Sequence, residues 1–333
     1  MANNVFDAFN EFMRDKIDLD PDVVRDARKS LGNLIENIND FDNKEFFRFY
    51  REINIQFGSF ARKTKKRPLD DIDLMIGIAA DGATYNSSDP WNNVRINASK
   101  ENATQQDCLN DDGVTLNSTK VLNRFKSKLE GLRDYKKSEI HRNGEAVTLN
   151  LVSKDWSFDI VPCFQTVTES NNRNYYLIPN GNGGWQKTDP RKDRDYVMKV
   201  NEEKKKMVLP LVRLCKKWFE VKKFETPASY LMETLIVRYC ESKKVLDDVI
   251  FWRFMEFLDY LENGIYNSVQ DMKDIQGNIN DLDFLDRYKI SEKAKLDSQK
   301  VLDALNAEFK ERNRQKAENL WREIFGEDFP TYG

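Results

Sequence analysis

The sequence predicts an α+β protein, with a mixed-sheet lobe, a helical spine at its N-terminus and a separate helical lobe at its C-terminus. Two observations carry this. Short runs of strand character fall in the first half of the chain, around residues 53 to 57, 69 to 78 and in three segments between 135 and 164. From Asp193 onward the apolar spacing is helical almost throughout, near 195 to 222, 227 to 242, 246 to 263 and 291 to 325. Composition therefore shifts near 190 to 200, and the expected division is a first lobe of residues 1 to 195 and a helical lobe of residues 196 to 333.

In chain order, Val5, Phe9, Phe12 and Met13 have the spacing of one helix face over residues 4 to 16. Asp20 and Pro21 form a start signal, an N-cap followed by proline at the first helical position, for a helix running toward Ile38. Phe46, Phe47 and Tyr50 suggest a third helical piece, so the first 50 or so residues read as a spine behind the sheet. Residues 81 to 118 are rich in Asn, Ser, Asp and Gln and read as a long surface insertion. Ser118 or Thr119 then caps a helix to about Leu132. Strands at 135 to 141, 146 to 153 and 156 to 164 follow, joined by turns at Asn143-Gly144 and Lys154-Asp155. The glycine-rich segment from Pro179 to Pro190 presents Trp185, expected either to stack on a base or to plug the junction of the lobes.

Composition excludes several function classes. With 53 basic and 56 acidic side chains, net charge −3, no global field draws the chain to nucleic acid or to an anionic membrane. Cys108, Cys163, Cys215 and Cys240 show no metal-ligand spacing and read as reduced thiols. No apolar run approaches a membrane span and no leader-type N-terminus is visible, so a cytoplasmic location is expected. The one histidine, His141, sits beside a turn signal, and carboxylates must carry any chemistry.

Those carboxylates lie in FGSFARKTKKRPLDDIDLMIGI, residues 57 to 78. Asp71 and Asp73 are i and i+2 on an apolar strand, so they share one face about 6.5 Å apart. Asp70 points to the other face. A hard cation relieves the repulsion between the pair, and Mg2+ prefers to share its coordination with water and substrate phosphates. Gly58 and Ser59 supply the complement: a backbone that phosphate can approach closely, with an amide and a hydroxyl to bind it.

Gly-Ser, a short spacer and Asp-x-Asp on a strand resemble the signature of polymerase-β-like nucleotidyltransferases. Together, GSFARKT, DIDLM, IPNGNGGWQKTDP, RLCKKWF and ETPASYLMETL resemble the cGAS/DncV-like nucleotidyltransferases of bacterial CBASS antiphage defence, over about residues 50 to 240. The resemblance implies a third acid on a later strand, matched by Asp159 in WSFDIVPCF. It implies two Mg2+ ions, or Mn2+ in their place, held by Asp71, Asp73 and Asp159, one near an acceptor hydroxyl and one near the donor triphosphate. It also places a lysine and a serine on the donor phosphates, and Lys216 and Ser229 match those positions. Lys217 is the alternate to Lys216, since only one of two adjacent helix residues can face the site. Arg62 and Thr64 continue the phosphate motif and either support it or cap the following turn.

The implied activity is the joining of NTPs, with loss of pyrophosphate, into a cyclic di- or trinucleotide that signals to an effector. Because relatives encoded beside ubiquitin-ligase-like partners are joined through their C-terminus, Gly333 is the expected attachment point for such a partner. Zinc-dependent DNA sensing is not expected, because the ligand cluster is missing. The alternatives are transfer to RNA ends or protein side chains, and a silent nucleotide-binding module.

Overall fold

The structure is a computed structural model that describes residues 2–41, 45–170, 172–224 and 229–332. In chain order the elements are α1 (Val5–Phe12), α2 (Pro21–Asn39), β1 (Ile55–Phe57), α3 (Gly58–Ala61), β2 (Asp71–Gly77), β3 (Thr84–Tyr85), β4 (Ile96–Asn97), α4 (Ala103–Gln106) and α5 (Ser118–Glu130). There follow β5 (Glu139–Asn143), β6 (Ala146–Asn150), β7 (Ser157–Gln165), β8 (Tyr176–Pro179), β9 (Trp185–Thr188), α6 (Pro190–Glu203), α7 (Val208–Lys222), α8 (Ser229–Ser242), α9 (Ile250–Gly264), α10 (Phe284–Phe309) and α11 (Arg314–Phe325). The α+β class expected from the sequence is the one observed. The chain divides into two compact units, a sheet unit of residues 22–61 and 69–194 and a helical unit of residues 1–21, 62–68 and 195–333.

The sheet unit is built on the order β1-β2-β7-β6-β5, with β8 and β9 continuing from the far end of β7. All pairings are antiparallel except β2 with β7. β7 is the longest strand and is buried along most of its length, as a central strand with neighbours on both sides should be. α5 lays Val121, Leu122, Phe125 and Leu129 on one buried face. Its cap is Asn117, whose side chain accepts a bond from the Lys120 amide, rather than Ser118 or Thr119. Phe46 and Phe47 form no helix; they wedge into an aromatic cluster with Phe125, at ring-centroid distances of 5.1 and 6.1 Å.

Residues 81–118 are more ordered than a surface insertion. Val94, Ile96, Cys108 and Leu116 are buried, and the buried Gln105 accepts a bond from the Ser99 amide while donating to the Ala80 carbonyl. Beyond the short β3–β4 pairing, polar side chains satisfy much of this backbone, which is why an Asn- and Gln-rich sequence can still fold compactly. Trp185 is fully buried, donates its indole N–H to the Leu116 carbonyl at 2.9 Å and packs edge-on against Phe164. It fills the core of its own unit, so neither expected role is the one observed.

α1 belongs to the helical unit and not to a spine behind the sheet. Phe9 packs 4.8 Å from Trp321, 5.3 Å from Phe251 and 5.1 Å from Phe329, and Phe12 packs on Phe325 and Phe329. This aromatic payload decides where the helix goes. The expected helix over 195 to 222 is two helices, because Lys205 and Lys206 adopt left-handed backbone (φ 52° and 65°). Asn201 stabilises the break, accepting the Lys206 amide at its carbonyl and the Leu209 amide at its side chain. Arg312 (φ 57°) likewise separates α10 from α11. Residues 62–68 are strapped to this unit: the Arg67 amide bonds the Ile17 carbonyl, Arg213 bonds the Lys63 carbonyl, and Lys66 pairs with Glu220.

Glu233, in the second turn of α8, is fully buried and collects three partners. Arg62 Nε donates to it at 3.0 Å, Thr64 Oγ1 at 2.8 Å, and Lys216 Nζ pairs with its other oxygen. Burial alone would raise its pKa, but Arg62 and Lys216 hold it down to about 2. Lys217 is directed elsewhere, to Glu220 and Asp328.

Gly333, the expected attachment point, lies outside the described residues. Immediately before it, Tyr332 is buried and donates its backbone N–H to Glu318 at 2.7 Å, and Phe329 is buried in the aromatic core. The chain is thus docked as far as Tyr332. All four cysteines are buried, and burial raises each thiol above its ordinary pKa, to about 11 for Cys108 and about 12 for Cys240. Among the described residues, no helix is long and apolar enough to cross a membrane.

Two measurements check this architecture. Phe9→Ala should destabilise the helical unit by about 3–5 kcal/mol, read as a shift of its urea transition with unchanged slope. Glu233→Gln leaves Arg62 and Lys216 facing a neutral partner and should cost about 3–5 kcal/mol at pH 7. Because the folded pKa of Glu233 (about 2) lies below its ordinary 4.5, its contribution is present above pH 4.5 and lost as the pH falls toward 2. The difference between wild type and Glu233→Gln should therefore shrink over that window by roughly 3 kcal/mol. A pH-independent difference would contradict the assignment.

Candidate active site

The parallel pairing of β2 with β7 assembles the acidic site. In that register Asp73 lies directly opposite Asp159, and Asp71 lies opposite Ser157. Residues two apart on a strand share a face, and paired residues on neighbouring strands, roughly 4.8 Å apart, share it too. Asp71, Asp73 and Asp159 therefore converge on one face at the N-terminal ends of the two strands, each half-buried in an otherwise buried stretch. Asp70 is exposed, and its carbonyl accepts the Ser157 amide at 2.9 Å, extending the strand pairing by one residue.

Two of the acids are placed by their register partners. Asp159 Oδ1 accepts a 2.6 Å bond from the hydroxyl of Thr148, its register partner on β6. Asp73 pairs with Phe57 on β1, which brings its carboxylate over the next residue, Gly58. A Cβ built on Gly58 would fall 1.8 Å from Asp73 Oδ2. Gly58 also has φ 71°, so this position needs glycine twice, once for its backbone and once for the space above it. Ser59 follows in the short turn α3, half-buried. The phosphate-binding candidates Gly58 and Ser59 and the three carboxylates thus stand together in the sheet unit.

The other candidates belong to the helical unit. Lys216 is paired with Glu233, and Ser229 is the exposed first residue of α8. The GSFARKT motif is divided between units: Gly58 to Ala61 fall in the sheet unit, while Arg62 and Thr64 serve Glu233 in the helical one. His141 lies on β5, half-buried, with Nδ1 3.9 Å from Glu139, away from the acidic strands in the sheet order.

Two residues were missed in the sequence. Thr148 could have been found by counting back from the Lys154-Asp155 turn, since the β6–β7 hairpin register opposes it to Asp159. Glu233 shows itself only as an acid in a helix buried on nearly every side, from Leu231 to Val237.

The donors around the acidic face are all oxygens, the chemistry of a hard cation. Among the described residues no group of three or more His, Cys, Asp or Glu side chains forms a metal cage on its own.

Comparison with known proteins places this geometry. Residues 4–201 match the Second Messenger Oligonucleotide or Dinucleotide Synthetase domain family. A probable cyclic nucleotide synthase of Bacillus cereus (strain VD146) is 37% identical over 341 residues, covering 100% of this chain and 99% of that protein. The fold is similar to that of Escherichia coli MS115-1 CdnC, solved in a complex with HORMA-deltaN (TM-score 0.69, 18% identity, 98% of each chain). It is also similar to the Vibrio cholerae cyclic AMP-GMP synthase DncV (TM-score 0.57, 12% identity, 84% of this chain and 69% of that one). With this polymerase-β-like fold, the chain belongs to the Second Messenger Oligonucleotide or Dinucleotide Synthetase family of cGAS/DncV-like enzymes, the cyclic oligonucleotide synthases.

Proposed function

We propose that this enzyme joins NTPs into a cyclic di- or trinucleotide, releasing pyrophosphate, in a Mg2+-dependent reaction, and that the product signals to an effector in antiphage defence. The observation that carries the chemistry is the Asp73–Asp159 register with Asp71 two residues back on the same face. Asp71, Asp73 and Asp159 would hold the Mg2+, which when bound neutralises phosphate charge and lowers the pKa of an acceptor hydroxyl. Supporting the reading, a solved structure of the neighbour CdnC contains ATP.

The chain's own residues have separable tasks. Gly58 and Ser59 bind phosphate oxygens beside the carboxylates, through backbone N–H and hydroxyl. Thr148 fixes the rotation of the Asp159 carboxylate, and Asp159 accepts the proton of the acceptor ribose hydroxyl. Lys216 contributes positive charge to the donor triphosphate and Ser229 a hydroxyl. An ammonium has three donors, so Lys216 can keep Glu233 while binding phosphate.

Incubation of the pure protein with all four NTPs and Mg2+, then phosphatase digestion and mass analysis, tests this. The expected result is a phosphatase-resistant product of two or three linked nucleotides, lost on chelation of the metal; label transferred to protein or RNA instead would overturn it. Asp71→Asn and Asp73→Asn should each lower product formation at least about a hundredfold with melting temperature retained. Gly58→Ala should cost about a hundredfold, since it displaces the Asp73 carboxylate. Thr148→Val should cost about tenfold or more, the usual effect of losing a bond that orients a metal-binding group.

A further inference from the structure

We propose that the helical unit carries a second anion site, a cleft between the end of α7 and the first half of α10 that takes a phosphorylated small molecule of nucleotide size. The cleft is a cavity of about 310 Å3, within the range that holds such a ligand. Lys222 and Lys223 line it from the end of α7, and Lys289 and Lys293 from α10; among the described residues Asp286 is the only acid in its lining. Phe224 and Ile290 complete the wall.

The floor is built and fixed. Asp297, fully buried, accepts the indole N–H of Trp218 at 2.8 Å and pairs with Lys222 at 2.7 Å, while Lys222 also donates to the Glu323 carbonyl. Only 5% of the Lys222 side chain is exposed. Lys293 reaches the other Asp297 oxygen at 3.6 Å, and Lys289 stands 3.5 Å from Asp286. Among the described residues, four ammonium groups therefore face two carboxylates, the buried one included. Like charges gathered in a partly desolvated cavity repel, and a phosphate removes the surplus of two. The half-buried ring of Phe224, backed by Trp218 at 5.5 Å, is a platform for an aromatic base.

This site is separate from the Glu233 cluster. Trp218 and Lys222 are four residues apart on α7 and share the face toward Asp297, whereas Lys216 leaves the helix on the opposite side toward Glu233. The inference does not depend on the catalytic reading.

Lysine footprinting of the full chain tests it. The Asp71→Asn/Asp73→Asn protein, which should not consume nucleotide, is acetylated with and without ATP or inorganic tripolyphosphate, and reactivity is read lysine by lysine by mass spectrometry. Lys223, Lys289 and Lys293 are expected to lose at least fivefold of their reactivity with either probe, at lower concentration for ATP, while Lys199 and Lys206 on the solvated face do not change. In Lys289→Glu, the ATP concentration for half-protection of Lys223 should rise at least tenfold. No protection by either probe, equal protection of Lys199 and Lys206, or an unchanged midpoint in Lys289→Glu would overturn the proposal.

Discussion

Two carboxylates paired across neighbouring strands repel each other by on the order of 3 kcal/mol at 5 Å in an effective dielectric of 20. The sheet unit is organised to hold Asp73 and Asp159 in that position. A parallel β2–β7 register sets them opposite each other, and the antiparallel β6 delivers the Thr148 hydroxyl to one of them. The β1 edge supplies a residue without a side chain beneath the other. Each strand order in this part of the sheet has a chemical consequence, and a one-residue slip in any of the three pairings would undo it.

The helical unit answers the opposite problem, of burying positive charge. Glu233 is an acid that Arg62, Thr64 and Lys216 share, and it stays ionised although it is out of water. A removal of either side would leave a buried charge uncompensated, so Arg62 and Lys216 are bound in place by the same group. The ordinary stabilising work of this unit lies elsewhere, in the rings of Phe9, Phe12, Trp321, Phe325 and Phe329, which decide that the first helix belongs with the last.

Much of the sheet was legible because it rests on local signals. The i, i+2 spacing of Asp71 and Asp73 needs only an apolar strand, and the hairpin over residues 139–150 needs only Asn143-Gly144 as its turn. What was not legible depends on distant partners. Arg62 and Glu233 are 171 residues apart, so nothing near either one tells that they meet. Phe46 and Phe47 have spacing that suits a helix, yet their rings are used as a wedge against Phe125. Residues 81–118 read as solvated because side-chain-to-backbone bonds such as those of Gln105 leave no periodicity. Helix α10 begins at Phe284, ahead of the expected start, because Asp283 caps it there, accepting the Asp286 amide at 2.8 Å.

The four cysteines carry one more consequence. Thiolate, not thiol, is the species that attacks peroxide, disulfides and alkylating reagents, and each of these sulfurs is both out of water and held in the protonated form. The folded chain therefore has sulfur chemistry without a reactive sulfur: it should tolerate an oxidising burst that disables a cysteine-dependent enzyme, and a single cysteine placed on its surface would be the one that a maleimide dye selects.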